Sequence, residues 1–239
     1  MEEGGYPVLC SERPRGDDFL AAIRALAPDL SVVVAYGHIL RKDVLALPPF
    51  GSVNLHASLL PELRGAAPIN RAIVRGYEVT GVTVMRMIEQ MDAGPVLFQA
   101  EEPIETGETA SELAVRLSEI GAEALVEAIA LLQIGALEER EQDESRVTFA
   151  PKVNRETARI DWALRGLALA NHVRGMDEIP GAWAVLRGEP VKLFRPELSA
   201  EGGRADPGVV VRADPVAGLA VATVDGVVIL GEVQPQGRR

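Results

Sequence analysis

An α/β layered domain followed by a small antiparallel β-barrel is the architecture that this 239-residue sequence predicts. Apolar strand-like runs alternate with helix-like segments up to Gly135, which is the signature of helices packed on a sheet. Beyond Asn154 the texture changes to short strands separated by Pro- and Gly-rich turns. Between the two lies a charged, irregular stretch. The expected division is therefore residues 1–137, a linker at 138–154, and residues 155–239.

Asp17-Asp18 can cap a short helix that places Phe19, Leu20, Ile23 and Leu26 on one face and closes before Pro28. Leu30 to Tyr36 is a nearly unbroken apolar, β-branched run, suited to a parallel strand buried on both faces. A short helix to Leu47 and a strand from Gly51 to His56 follow. Pro68 suits the first turn of a helix that Gly76 ends. Val82 to Met87 and Pro95 to Ile104 read as strands. Thr109-Ala-Ser-Glu112 fits a capping box, and Leu113, Leu117, Ala124, Leu125, Ala128, Ile129 and Leu132 recur at helical spacing after it. In the second part a helix is expected around Ala163–Arg174. Strands are expected at Val191–Arg195, Gly208–Arg212, Leu219–Val224 and Val227–Val233, with Asp225-Gly226 a hairpin signal.

Composition narrows the function classes. The chain is 47% hydrophobic and 25% charged, ordinary for a soluble globular protein and unlike a disordered one. No apolar run approaches the roughly 20 residues that cross a bilayer. The first seven residues lack the basic start and apolar core of a signal peptide. The single Cys10 excludes an internal disulfide and a cysteine-cluster metal site. A cytoplasmic setting is expected. The net charge of −11 is unevenly spread: residues 1–150 hold 24 acids against 12 bases, and residues 151–239 hold 11 against 12. Charge alone thus neither shows nor excludes an RNA partner, and solvated surface accounts for most of the acids.

Residues 54–68 carry the chemistry. Asn54 and His56 lie two apart on a strand and share a face, at the end of the strand where open α/β sheets bind ligands. The loop after them is shaped by Pro61, Gly65 and Pro68, and Ser58, Arg64 and backbone amides offer polar contacts. A second loop, Glu89 to Pro95, presents Asp92. An Asn amide can donate to an oxyanion, a His can move a proton near neutral pH, and an Asp can orient that His or relay through water. The same residues also suit a capped strand end and an ordinary turn. His172 reads as structural or surface, Cys10 as an incidental thiol, and Trp162 and Trp183 as packing residues. Arg155, Arg159, Arg165 and Arg174 form a candidate RNA-facing patch.

The segment Asn54-Leu-His56-Ala-Ser58-Leu-Leu-Pro61-Glu-Leu-Arg64-Gly65-Ala-Ala-Pro68-Ile resembles the signature of the folate-dependent formyltransferases, most closely those acting on methionyl-tRNA. Thr80-Gly81-Val-Thr83-Val-Met85 and Met91-Asp92-Ala-Gly94-Pro95 are similar to the family's second segment. Tyr36-Gly37, Thr148-Phe-Ala-Pro-Lys152 and Ile160-Asp161-Trp162 extend the likeness over nearly the whole chain.

The resemblance implies a Rossmann-like catalytic domain and a C-terminal barrel that contacts tRNA. The implied reaction carries a formyl group from 10-formyltetrahydrofolate to the amino group of methionyl initiator tRNA, without metal or further cofactor. It also implies Asn54, His56 and Asp92 as the catalytic trio, and Ser58, Leu59, Leu60 and Pro61 as a folate-contacting stretch. Expected partners are the tRNA and folate, with no membrane and a monomeric state. The alternatives are an amino-sugar nucleotide formyltransferase or an inactive folate- or RNA-binding fragment. Family members begin with a strand, a helix and a second strand ahead of anything like Tyr6-Pro-Val-Leu9. The resemblance therefore implies that Met1 falls within the domain, a βαβ unit needing about 30 residues or more. An open apolar edge at the Leu30–Tyr36 strand, marginal stability, aggregation and weak activity are the corresponding expectations.

Overall fold

The computed structural model describes residues 5–12, 14–199 and 205–235. Its first layer is a four-stranded mixed sheet, in the order β1-β2-β3-β4, formed by β1 Ser31–Val34, β2 Ser52–His56, β3 Val79–Arg86 and β4 Val96–Pro103. β1 and β2 are parallel, whereas β2–β3 and β3–β4 are antiparallel. The helices are α1 Asp17–Leu26, α2 Lys42–Leu45, α3 Pro68–Val74 and α4 Ala110–Gln133. Pro68 occupies the first turn of α3, where its missing N–H leaves no intrahelical bond unmade.

β1 departs from the expectation of a strand buried on both faces. Val32 and Val34 are 42% and 51% exposed. Among the described residues β1 pairs only with β2, so it forms an edge of the sheet. Its apolar, β-branched composition reports strand propensity correctly but not the number of neighbours.

α4 is the longest helix. The Thr109 side chain accepts from the Glu112 N–H, and the Glu112 carboxylate accepts from the Thr109 N–H, closing the capping box. Its buried stripe, Leu113, Leu117, Ala124 and Ala128, packs with Val53, Val82, Val84 and Leu97 of the sheet as one core.

The second part is a five-stranded antiparallel sheet curled into half of a barrel, in the order β5-β6-β9-β8-β7. Its strands are β5 Trp183–Leu186, β6 Glu189–Leu198, β7 Val210–Asp214, β8 Gly218–Ala222 and β9 Val227–Pro235. Helix α5 Gly166–Gly175 precedes them. β8 and β9 pair as expected across Asp225-Gly226, with Ala222 opposite Val227. β5 is not foreseen by the sequence reading. It has four residues and joins β6 through Arg187-Gly188, both with positive φ (51° and 88°), as a tight two-residue hairpin requires. Leu169, Val173 and Met176 of the α5 region share a core with Leu193, Val228 and Leu230.

α5 also packs against α3 of the first part. The Asn70 carboxamide donates to Gly175 O at 2.7 Å, and one guanidinium nitrogen of Arg174 donates to Glu108 O at 2.7 Å. His172 is buried here, and its Nε2 has no hydrogen-bond partner. Burial pushes its pKa down. Among the described residues no helix is long and apolar enough to cross a membrane.

The capping box yields a measurable expectation. Thr109→Ala removes a side-chain cap and should lower the unfolding free energy by about 1 kcal/mol at neutral pH. The Thr109 backbone and hydroxyl bonds hold the Glu112 carboxyl below its ordinary value. Stability from that group is therefore present above the ordinary carboxylate pKa and lost as pH falls through the lowered one. Urea titrations of both proteins should show a difference that is widest near pH 7 and narrows on acidification.

Candidate active site

Asn54 and His56 come from alternate positions near the end of β2, opposite Met85 and Thr83 of β3. His56 is 6% exposed. Its Nε2 lies 2.9 Å from Leu63 O. A carbonyl only accepts, so Nε2 carries a hydrogen and donates it. Nδ1 is left facing Asp92, 3.8 Å from Oδ2. That separation is a charge contact, too long for a direct hydrogen bond.

The position of Asp92 follows from how its loop folds. β3 ends at Arg86 beside the start of β2, where Met87 N donates to Ser52 O. His56 stands at the far end of that strand, about 3.3 Å per residue away. The loop between β3 and β4 must therefore turn back along the sheet to bring Asp92 to His56. Gly94 permits the return, because a Cβ there would collide with Arg86 O. Asp92 itself adopts φ 53°, a left-handed conformation unusual for a residue with a side chain. Its Oδ2 accepts from the Gly65 N–H at 2.8 Å. Among the described residues neither Asp92 Oδ1 nor the Asn54 carboxamide has a hydrogen-bond partner, so both are available to a ligand.

The stretch from Ser58 to Pro61 is held from beneath. Thr83 Oγ1 donates to Ser58 O at 2.6 Å and accepts from Leu60 N at 3.1 Å, and Gln99 Nε2 donates to Leu60 O at 2.9 Å. The Ser58 hydroxyl donates to Glu62 O rather than outward. Ser58, Leu60 and Pro61 are buried and Leu59 is half-buried. What this stretch presents is main chain and one leucine.

Arg64 differs from the sequence reading. It is not a polar contact at the loop mouth: it is 2% exposed and turned into the protein. Its Nε and one terminal nitrogen donate to Gln142 Oε1 at 3.0 and 2.8 Å, and that terminal nitrogen also reaches Glu144 Oε1 at 2.8 Å. The irregular segment 138–154 accordingly straps the loop. Leu63 N donates to Thr148 Oγ1, Arg64 N to Thr148 O, Ala150 N to Arg64 O, and Ala67 N to Ala150 O. Gln99 and Gln142 are not foreseen by the sequence reading, and Thr83 stands there only as part of the segment Thr80 to Met85, because each acts on a residue 16 or more positions distant and no local periodicity marks such a contact.

The four arginines suggested as an RNA-facing patch do not act alike. Arg165 pairs with Asp225, and Arg174 turns inward to Glu108 O and Asn171. Arg155 and Arg159 lie over the Trp183 ring at 5.1 and 5.6 Å. Cys10 is exposed. Among the described residues no group of three or more His, Cys, Asp or Glu side chains could hold a metal ion.

Gly65 is the sensitive point. It has φ 122°, and a Cβ would lie 2.7 Å from Ala150 O. Gly65→Ala should move the loop off the strap and lengthen the bond to Asp92. A thermal unfolding midpoint lowered by several degrees, with loss of most turnover, is the expected result.

A formyl transferase family model matches residues 7–129, and the model of the formyl transferase C-terminal domain matches residues 152–239. A methionyl-tRNA formyltransferase of Desulfotalea psychrophila is 42% identical over 238 residues, covering 100% of this chain and 73% of the relative. HypX from Aquifex aeolicus, in complex with tetrahydrofolic acid, superposes with a TM-score of 0.72 at 23% identity, over 91% of this chain and 37% of HypX. The sugar 3N-formyl transferase WlaRD superposes with a TM-score of 0.67 at 18% identity, over 88% of this chain and 73% of WlaRD. Both superpositions reproduce the two-part fold, and the family models together span most of the sequence. The chain belongs to the formyltransferase family.

Proposed function

We propose that this chain transfers a formyl group from 10-formyltetrahydrofolate to the amino group of methionyl initiator tRNA, with Asn54, His56 and Asp92 as its catalytic residues. The observation that carries the reading is the convergence of His56 and Asp92, 3.8 Å apart, beside the unpaired carboxamide of Asn54. The 42% identity to a methionyl-tRNA formyltransferase along the whole chain supports tRNA as the acceptor. Residues 1–137 would carry the chemistry, 138–154 the link, and 155–239 the tRNA contacts. The stretch Ser58-Leu59-Leu60-Pro61 would meet the folate through its main chain and Leu59.

The reaction needs little activation of the nucleophile, because an α-amino group titrates near 7.7–8.0 in general, about the working pH. The amine lone pair attacks the formyl carbon, and the C=O electron pair moves to oxygen. Asn54 donates to that oxyanion. With Nε2 already donating to Leu63 O, the hydrogen that His56 can offer is one carried on Nδ1, in the doubly protonated ring. Each such donor is worth about 3–4 kcal/mol of barrier. Asp92 Oδ1 takes the proton released by the new C–N bond and returns it to the departing folate nitrogen as the old C–N bond breaks. The Gly65 N–H occupies Oδ2 throughout and keeps Oδ1 the basic oxygen.

His56→Ala and Asp92→Asn should each lower kcat by roughly a hundredfold or more while changing the KM for the folate little. Steady-state assays with charged initiator tRNA and, separately, with an amino-sugar nucleotide test the acceptor. Formylation of the sugar alone would refute the tRNA assignment, and unchanged kcat in either variant would remove that residue from the mechanism.

A further inference from the structure

We propose that Gln142 is a positioning residue for formyl transfer, fixing the loop that carries Asp92. The proposal rests on the reading of Asp92 as a catalytic residue. The Gln142 carboxamide donates one hydrogen to Asp92 O at 2.9 Å and the other to Gly94 O at 2.8 Å. Its oxygen accepts twice from the buried Arg64 guanidinium, at 3.0 and 2.8 Å. The orientation of the amide is unambiguous, since carbonyls demand the NH2 side and a guanidinium demands the oxygen. All three Gln142 side-chain functions, two donors and one acceptor, are in use.

Asp92 needs such a hold. A non-glycine residue at φ 53° persists only where its surroundings over-determine it. The Arg86 N–H to Pro95 O bond closes the base of the loop, three residues beyond Asp92. At the turn the carboxylate is held by Gly65 N and the main chain by Gln142. These two contacts share one origin, because Arg64 and Gly65 are consecutive. The Arg64 backbone is tied to Thr148 and Ala150, and its side chain reaches Glu144. A closed circuit therefore runs from Arg64 through Gln142 to the Asp92 main chain, and from the Asp92 carboxylate back to Gly65. Displacing the loop by an ångström would break the approach of Asp92 to His56, and misplacement of that size lowers turnover steeply.

No other side chain satisfies this position. Glu matches the length and accepts from Arg64 but brings no donor to the two carbonyls. Lys and Arg donate but present no acceptor to the guanidinium. Asn is one methylene short.

Gln142→Glu is the decisive variant, measured in the full chain as kcat and KM for both substrates, with and without Asp92→Asn. In the parent background kcat should fall tenfold or more, with each KM within twofold. In the Asp92→Asn background the same substitution should cost less than twofold, because a residue acting through Asp92 has nothing left to position. Equal losses in the two backgrounds would mean a general structural role, and a kcat within twofold of the parent would mean none; either overturns the proposal. If Asp92→Asn alone leaves kcat unchanged, the reading of Asp92 fails instead, and that result is distinguishable from the others. Where Gln142→Glu lowers the unfolding midpoint, the milder Gln142→Asn runs the same cycle with the same criteria.

Discussion

The seam between residues 63–67 and residues 148–150 governs the rest of the site. Arg64 and Phe149 align there as a short parallel bridge, and four hydrogen bonds from Leu63, Arg64, Ala67 and Ala150 close it. The seam can be this tight because Gly65 has no Cβ to meet Ala150 O. Two of the three candidate residues, His56 and Asp92, are held by it. Leu63 O sets the proton on His56 Nε2, Gly65 N holds one oxygen of Asp92, and Pro68 starts the next helix in place.

A site built in this way is rigid because its supports are buried and paired. Thr83 has no exposed surface, and its hydroxyl bonds the main chain of the loop as donor at Ser58 and as acceptor at Leu60. Arg64 would be costly to bury alone, since an unpaired interior charge loses its hydration. Gln142 and Glu144 receive its guanidinium, and the backbone carbonyls of Asp92 and Gly94 receive the far side of Gln142. Each polar group thus offsets the burial of the next.

The two parts of the molecule meet across helices α3 and α5, and the strap reaches both. Ala150 is buried against Leu63 and Ala72 of the first part, and Val153, near the strap's end, packs against the core of the second. Acidic residues in it that read as solvated surface include partners: Glu139 pairs with Arg86, and Glu144 with Arg64. A strand of irregular backbone can be this constrained when its hydrogen bonds go to other segments rather than to a neighbour in sequence.

By itself the sequence determined what is local. The Thr109 capping box, the Pro68 helix start, the Asp225-Gly226 hairpin and the strand ending in His56 are each set by a few adjacent residues whose backbone preferences agree. The formyltransferase motifs were legible for the same reason, being contiguous. An open edge at β1 was implied by the resemblance and not by the strand's apolar composition, which reports propensity and not neighbours; the rest was decided by tertiary structure. It decided that Arg64 points inward and that Gln142 stands over the Asp92 loop, 50 positions away along the chain. It also brought Asp92 back along the sheet to His56. Those contacts depend on where the chain returns after long excursions, and that is settled by the packing of whole elements rather than by any pattern within one of them.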